Sequence, residues 1–217
     1  DLRLLASGDT TEQFQNRPQA FGRPLYGLRR WGSLHQGMKY LIHEGKEELF
    51  DLQKDPSEHR SKIASVEAAP LRKALSDALE RPFVQALRVV LNRSKAGSPV
   101  RLTFNQTMAA AWAGDDPTMK GKAKVDIEEN TTTARWPKES GMVEVFMLPP
   151  AEMEDTMEVR IKIGKRVETH TIVLKDRSAP KSGMPDVLLD TRFGGRHVKI
   201  TTTWVPIPSD LDSAIQG

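Results

Sequence analysis

Arg29, Arg30, His35 and Lys39 stand close together along the chain. Guanidinium, imidazolium and ammonium groups aimed at one point grip an anion through short, directional, charge-assisted hydrogen bonds. In an active site they also stabilise negative charge as it develops on oxygen. The plainer expectation for a strand-borne Lys or Arg is a solvated face or an ion pair. Glu47, Glu48 and Asp51 follow, and paired carboxylates can divide acid and base work. Glu48 and Asp51 are three positions apart, however, so a regular strand sends them to opposite faces. Asp55-Pro56-Ser57-Glu58 has a structural explanation, with Asp opening a turn and Pro fixing φ at its second position.

Metal chemistry finds little to work with. The histidines at 35, 43, 59, 170 and 197 show no His-x-x-x-His or comparable grouping, and Cys is absent. Gly114-Asp115-Asp116-Pro117 lacks the spaced oxygen ligands of a calcium loop and reads as a turn or helix start. No metal and no other cofactor is therefore expected on this chain. Trp112, Trp136 and Trp204 are the candidates for surface recognition. An indole face can stack on a sugar ring or enter a partner, and it can equally fill the space between two sheets. Trp112, in the loop-like stretch MAAAWAGDDP, is the first of the three to expect at a surface.

The elements that must carry these residues follow from periodicity and turn chemistry. Residues 1–25 read as a connecting segment, with turn signals at Gly8-Asp9, Asn16 to Pro18 and Gly22 to Pro24. Residues 29–35 and 38–43 read as strands joined at Gln36-Gly37, and Gly45 opens a turn into a short strand at 48–52. Alternation puts Met38, Tyr40 and Ile42 on one face and Lys39, Leu41 and His43 on the other. Leu41 competes with the charged members of its row, so the inward face stays open and both sides can be partly covered. After Arg60 the period changes, and Leu71, Ala74, Leu75, Ala78 and Leu79 predict an amphipathic helix over 69–81 with Pro70 in its first turn.

Pro82 interrupts that pattern. Residues 86–91 suit a helix or a strand, and a strand is favoured because the turn-like SKAGSP and a strand-rich region follow. Seven or eight short strands are expected beyond it, including 100–104, 143–147, 159–163, 167–174 and 198–205, with a hairpin tip at Gly164-Lys165 and a turn at Gly194-Gly195. The fold class is α+β: a small antiparallel meander with a packed helix, then an antiparallel β-sandwich-like domain. The expected divisions are 1–25, 26–82 and 83–217.

Composition excludes some partners. Net charge is +3, but 32 basic residues are nearly matched by 29 acidic ones and are dispersed, so no nucleic acid is expected. No run approaches the ~20 apolar residues that cross a bilayer, so no membrane span is expected in this chain. Sequons at Asn92, Asn105 and Asn130 carry little weight in a Thr-rich sequence.

One stretch is more specific. Residues 26–58 read YGLRRWGSLHQGMKYLIHEGKEELFDLQKDPSE. Arg30, Gly37, Lys39, Tyr40 and Leu41, followed by Glu48, Leu49, Phe50, Asp51, Leu52, Asp55, Pro56 and Glu58, resemble the C-terminal part of sulfatase-like hydrolases of the alkaline phosphatase superfamily. The resemblance covers residues 26–79. It implies metal-dependent hydrolysis of sulfate or phosphate esters by a nucleophilic formylglycine, Ser or Thr beside acidic and His metal ligands near the N-terminal end. This sequence has no Cys/Ser-x-Pro-x-Arg motif and no Asp-rich start of a catalytic domain.

The resemblance therefore implies a non-catalytic C-terminal part that shapes the substrate cleft. Its partner would be the N-terminal catalytic α/β domain or chain of the same enzyme, which would hold the divalent metal, calcium, magnesium or zinc. The opening at Asp1 fits the expectation of a preceding segment. In the family this subdomain lies near the mouth of the cleft, so Arg29, Arg30, His35 and Lys39 become substrate-proximal candidates. The family also suggests an extracytoplasmic or periplasmic location. The rival expectation is an accessory β-sandwich module that binds glycan or protein through its tryptophans.

Overall fold

The computed structural model describes residues 19–25, 28–43, 45–92, 99–113, 123–136, 143–152, 155–174, 183 and 185–208. Within these ranges, the side chains of residues 19, 21–25, 28–30, 92, 113 and 143 lie outside the description. The expected connection over 1–18, residues 94–98 of the SKAGSP turn, and Gly114 to Pro117 lie outside the described residues.

The chain first builds a four-stranded antiparallel meander: β1 (Gln19–Leu25), β2 (Leu28–His35), β3 (Met38–His43) and β4 (Lys46–Asp51), hydrogen-bonded in that order. β1 corrects the expectation of a plain connection reaching residue 25. It pairs with β2 from Gln19 opposite Leu34 to Leu25 opposite Leu28. Gly22 and Pro24 hide it from pattern reading, yet proline is tolerated in an edge strand, where one side makes no ladder bonds. The β2–β3 turn is the expected Gln36-Gly37, with φ of 48° and 76°. Two positive φ values in succession make the turn whose twist matches a hairpin.

Both faces of β3 are covered: Tyr40 and Ile42 are 1% exposed and Leu41 is 7%. The Tyr40 face meets the helix α1 (Ala69–Leu79). Leu75 is fully buried there, with Leu71 and Leu79 beside it, against Tyr40, Ile42, Leu49 and Ile63. Burying one such leucine stabilises the fold by roughly 1.5–3 kcal/mol. The helix stops short of the expected residue 81 because Glu80 turns left-handed, at φ 53°, and the N–H of Arg81 bonds back to the carbonyl of Ser76 at 3.1 Å.

Beyond Pro82 come β5 (Phe83–Asn92), β6 (Val100–Phe104), β7 (Ala110–Ala113), β8 (Lys124–Glu128), β9 (Thr131–Trp136), β10 (Val143–Leu148), β11 (Thr156–Ile163), β12 (Arg166–Val173), β13 (Val187–Phe193) and β14 (Arg196–Pro206). They form two five-stranded sheets, ordered β13-β14-β5-β10-β7 and β12-β11-β6-β9-β8. Leu87, Val89, Leu91, Val145, Val198 and Ile200 of the first sheet meet Leu102, Phe104, Trp136, Val159 and Ile161 of the second in one core. β11 alternates perfectly, with Met157, Val159, Ile161 and Ile163 inside and Glu158, Arg160 and Lys162 outside.

Residues 86–91 are a strand, as favoured, and the sandwich holds more strands than expected. β7 escapes pattern reading because it is short and alanine-rich. β9 escapes because its first three positions are threonines: Thr132 is fully buried, and its Oγ1 accepts from the N–H of Met108 at 2.9 Å. β13 has an extra residue at Leu188, between the Val187–Thr201 and Leu189–Ile200 pairs, which breaks its period of two.

The two parts touch. Trp31 meets Phe83 edge to face, with centroids 6.1 Å apart, and the N–H of Glu47 bonds to the carbonyl of Gly183 at 2.7 Å.

Candidate functional site

His35 and Lys39 take opposite faces of the meander. In an antiparallel sheet, directly opposed residues share a face. His35 opposes Met38, on the Tyr40 face, while Lys39 opposes Leu34 and Phe50 on the other. Lys39 Nζ is held by Glu58 Oε1 at 2.7 Å and Oε2 at 2.8 Å, in a partly buried ion pair. His35 Nδ1 is buried with no hydrogen-bond partner among the described residues. Arg29 and Arg30 lie on β2, where the backbone of Arg30 opposes His43, and their side chains are outside the described residues.

The carboxylates serve turns and pairs. Glu48 opposes Leu41 and Asp51 opposes Met38, so they take opposite faces as expected. Asp51 Oδ2 accepts from Lys62 Nζ at 2.8 Å, and that bond leads the influences holding its carboxyl below the usual range. Asp55 Oδ2 accepts from the N–H of Arg60 at 2.8 Å and Oδ1 from that of His59 at 3.1 Å. Those two backbone donors, Arg60 first, lower its pKa in turn. The Asp-Pro sequence is thus a turn whose carboxylate closes it.

Pattern reading missed a buried cluster. β4 sends Glu47 under the helix, where it is 2% exposed. Its Oε1 accepts from both the Tyr40 hydroxyl and Arg72 Nη1, the latter at 2.7 Å. The guanidinium carbon of Arg72 lies 4.3 Å from the ring centre of Trp204, so β14 reaches into the same cluster through a cation–π contact. Burial first, and then the neighbouring Glu47 carboxylate, push the Tyr40 phenol far above its ordinary value, with Arg72 opposing. The available signal was Arg72 itself, a charge on the apolar stripe of the predicted helix.

Of the two alternatives for the tryptophans, the structure takes the interior one for Trp112 and Trp136 and buries Trp204 in part. Trp136 is 1% exposed in the sandwich core. Trp112, the first candidate for exposure, is 9% exposed and stacked on Phe146 at 5.8 Å and 25°. Trp204 is partly buried between the Arg72 guanidinium and the meander's apolar cluster. A large apolar ring on a strand gains more from burial than from solvent.

Among the described residues no group of three or more His, Asp or Glu side chains is arranged to hold a metal ion. No helix among them is long and apolar enough to cross a membrane. No family model, no curated protein and no solved structure matches this chain.

Proposed function

We propose that this chain is the non-catalytic C-terminal part of a sulfatase-like hydrolase of sulfate or phosphate esters, in which the meander shapes one side of the substrate cleft. The observation that carries the reading is that residues of the resembling stretch satisfy one another within one small unit. Lys39 pairs with Glu58 and Gly37 makes the left-handed turn, while Asp55 closes the Asp-Pro turn ahead of α1. A stretch spent on its own turns and ion pairs supplies a rigid wall. It leaves anion gripping and bond breaking to other groups.

The N-terminal catalytic α/β domain or chain of the same enzyme would supply the nucleophile and the divalent metal, calcium, magnesium or zinc. The parent would act outside the cytoplasm or in the periplasm, on a glycan or another anionic substrate.

The test compares two proteins with aryl sulfates and aryl phosphates in the presence of each metal. The 217-residue chain alone is expected to stay at background, and a longer protein carrying residues that precede Asp1 is expected to release sulfate or phosphate. Metal-dependent turnover by the chain alone, lost on changing its own Asp or His residues, overturns the reading. So does a longer protein that hydrolyses neither ester.

A further inference from the structure

At one end of the sandwich, strands β5, β10, β13 and β14 and the residue following β12 line a partly open cavity of about 180 Å³. Leu87, Leu148, Leu174 and Leu188 supply its apolar walls, and Gln85 and Thr202 are the polar side chains on its lining. Leu87 lies in the middle, opposite Met147 on one side and Thr202 on the other. Leu188 is the extra residue of β13. Bulges of this kind re-aim a side chain and gather beside binding sites. Thr202 Oγ1 accepts from the N–H of Asp186 at 3.0 Å, which orients the hydroxyl and leaves its proton to donate.

Size and lining chemistry together define what fits. An apolar cavity of about 150 Å³ takes up a benzene-sized molecule, so this one accommodates a single ring or a short branched chain. Binding pockets of this type combine apolar walls with a few polar groups that orient the ligand. The lining has no charged side chain among the described residues, so an ionised ligand would lose its hydration without a counter-charge. We propose that this cavity binds a small neutral molecule, an apolar ring or short chain bearing one hydroxyl or carbonyl group. Its apolar end sits on the leucines, and its polar group meets Gln85 and Thr202. The site is independent of the hydrolase reading and would make the sandwich a ligand-binding module in its own right.

Fluorine NMR titrations of the whole chain with 4-fluorophenol, fluorobenzene and 4-fluorobenzoate test this, with the leucine methyl signals assigned. 4-Fluorophenol is expected to bind about fivefold more tightly than fluorobenzene, the usual worth of one neutral hydrogen bond, and benzoate not to bind. Methyl shifts are expected at Leu87, Leu174 and Leu188. Leu188→Trp, which fills the space, is expected to weaken phenol binding by more than about tenfold, and Gln85→Leu to narrow the gap between phenol and fluorobenzene. Absence of phenol binding, shifts confined to other leucines, equal binding of phenol and fluorobenzene, or binding of benzoate would each overturn the proposal. If Leu188→Trp does not fold, the methyl shifts of the unsubstituted chain decide.

Discussion

Glu47 has one oxygen held by a phenol and a guanidinium beneath a helix, and that arrangement has measurable consequences at single residues. Removing one partner of a buried pair leaves the other charge out of water, which costs about 3–5 kcal/mol. Arg72→Met is therefore expected to lower unfolding free energy in urea by about 3 kcal/mol. Combined with Glu47→Gln, the loss should fall short of the sum of the single losses, because the two groups are in contact. Additive losses would mean that the pair is not coupled. Tyr40 offers a second readout. In the unfolded chain a phenol ionises near pH 10, whereas in the folded chain burial keeps Tyr40 protonated well above that. The unfolded state then holds fewer protons, so stability falls as pH rises past about 10. Ultraviolet titration of tyrosinate is expected to find Tyr40 silent until the chain unfolds, and Tyr40→Phe to flatten that alkaline loss. Tyr40 was visible in the alternation, but Glu47 lay ahead of the expected strand at 48–52, and their partnership with Arg72 needed a helix from further along the chain.

At the scale of elements, the meander is tied to the sandwich by a close backbone approach. Gly183 has φ 69°, and a Cβ there would lie 2.5 Å from Ile63 Cγ2 and 2.6 Å from the carbonyl oxygen of Glu47. Gly37, at φ 76°, would put its Cβ 3.2 Å from Cγ of the flexible Gln53 side chain. Both alanine variants carry left-handed strain of about 1–3 kcal/mol, but only at Gly183 does backbone also block the new carbon. Gly183→Ala is expected to lower the urea midpoint clearly more than Gly37→Ala, and equal shifts would show that the approach near Glu47 relaxes freely. Gly37 was legible as a hairpin turn from Gln-Gly between apolar runs. Gly183 was legible only as part of a loop, since its neighbours Ile63 and Glu47 are far away in sequence.

For the whole molecule, the contacts between the two parts decide how it unfolds. Trp31 on Phe83, Arg72 on Trp204 and the Glu47–Gly183 hydrogen bond join a unit with its own small core to the larger sandwich. Arg88 on β5 and Glu144 on β10, both within the sandwich, form an ion pair at 2.6 Å, each side chain less than 15% exposed. Calorimetry is expected to record one cooperative transition, with calorimetric and van't Hoff enthalpies equal. Trp204→Ala is expected to split or broaden it, because that ring bridges the two parts. Two transitions in the unsubstituted chain would mean that the parts fold independently.

What the chain's sequence determined by itself was local. The alternation of Met157, Val159, Ile161 and Ile163, the apolar stripe of Leu71, Leu75 and Leu79, and the glycine turns at 37, 164 and 194–195 follow from side-chain period and backbone sterics, which need no distant partner. Only the tertiary structure decided that Gln19–Leu25 is a strand, that Thr132 is buried and that Trp112 and Trp136 are interior. It alone also brought Gln85, Leu174, Leu188 and Thr202 around one cavity. Those outcomes depend on which strands lie side by side and which face is covered, and long-range pairing sets both.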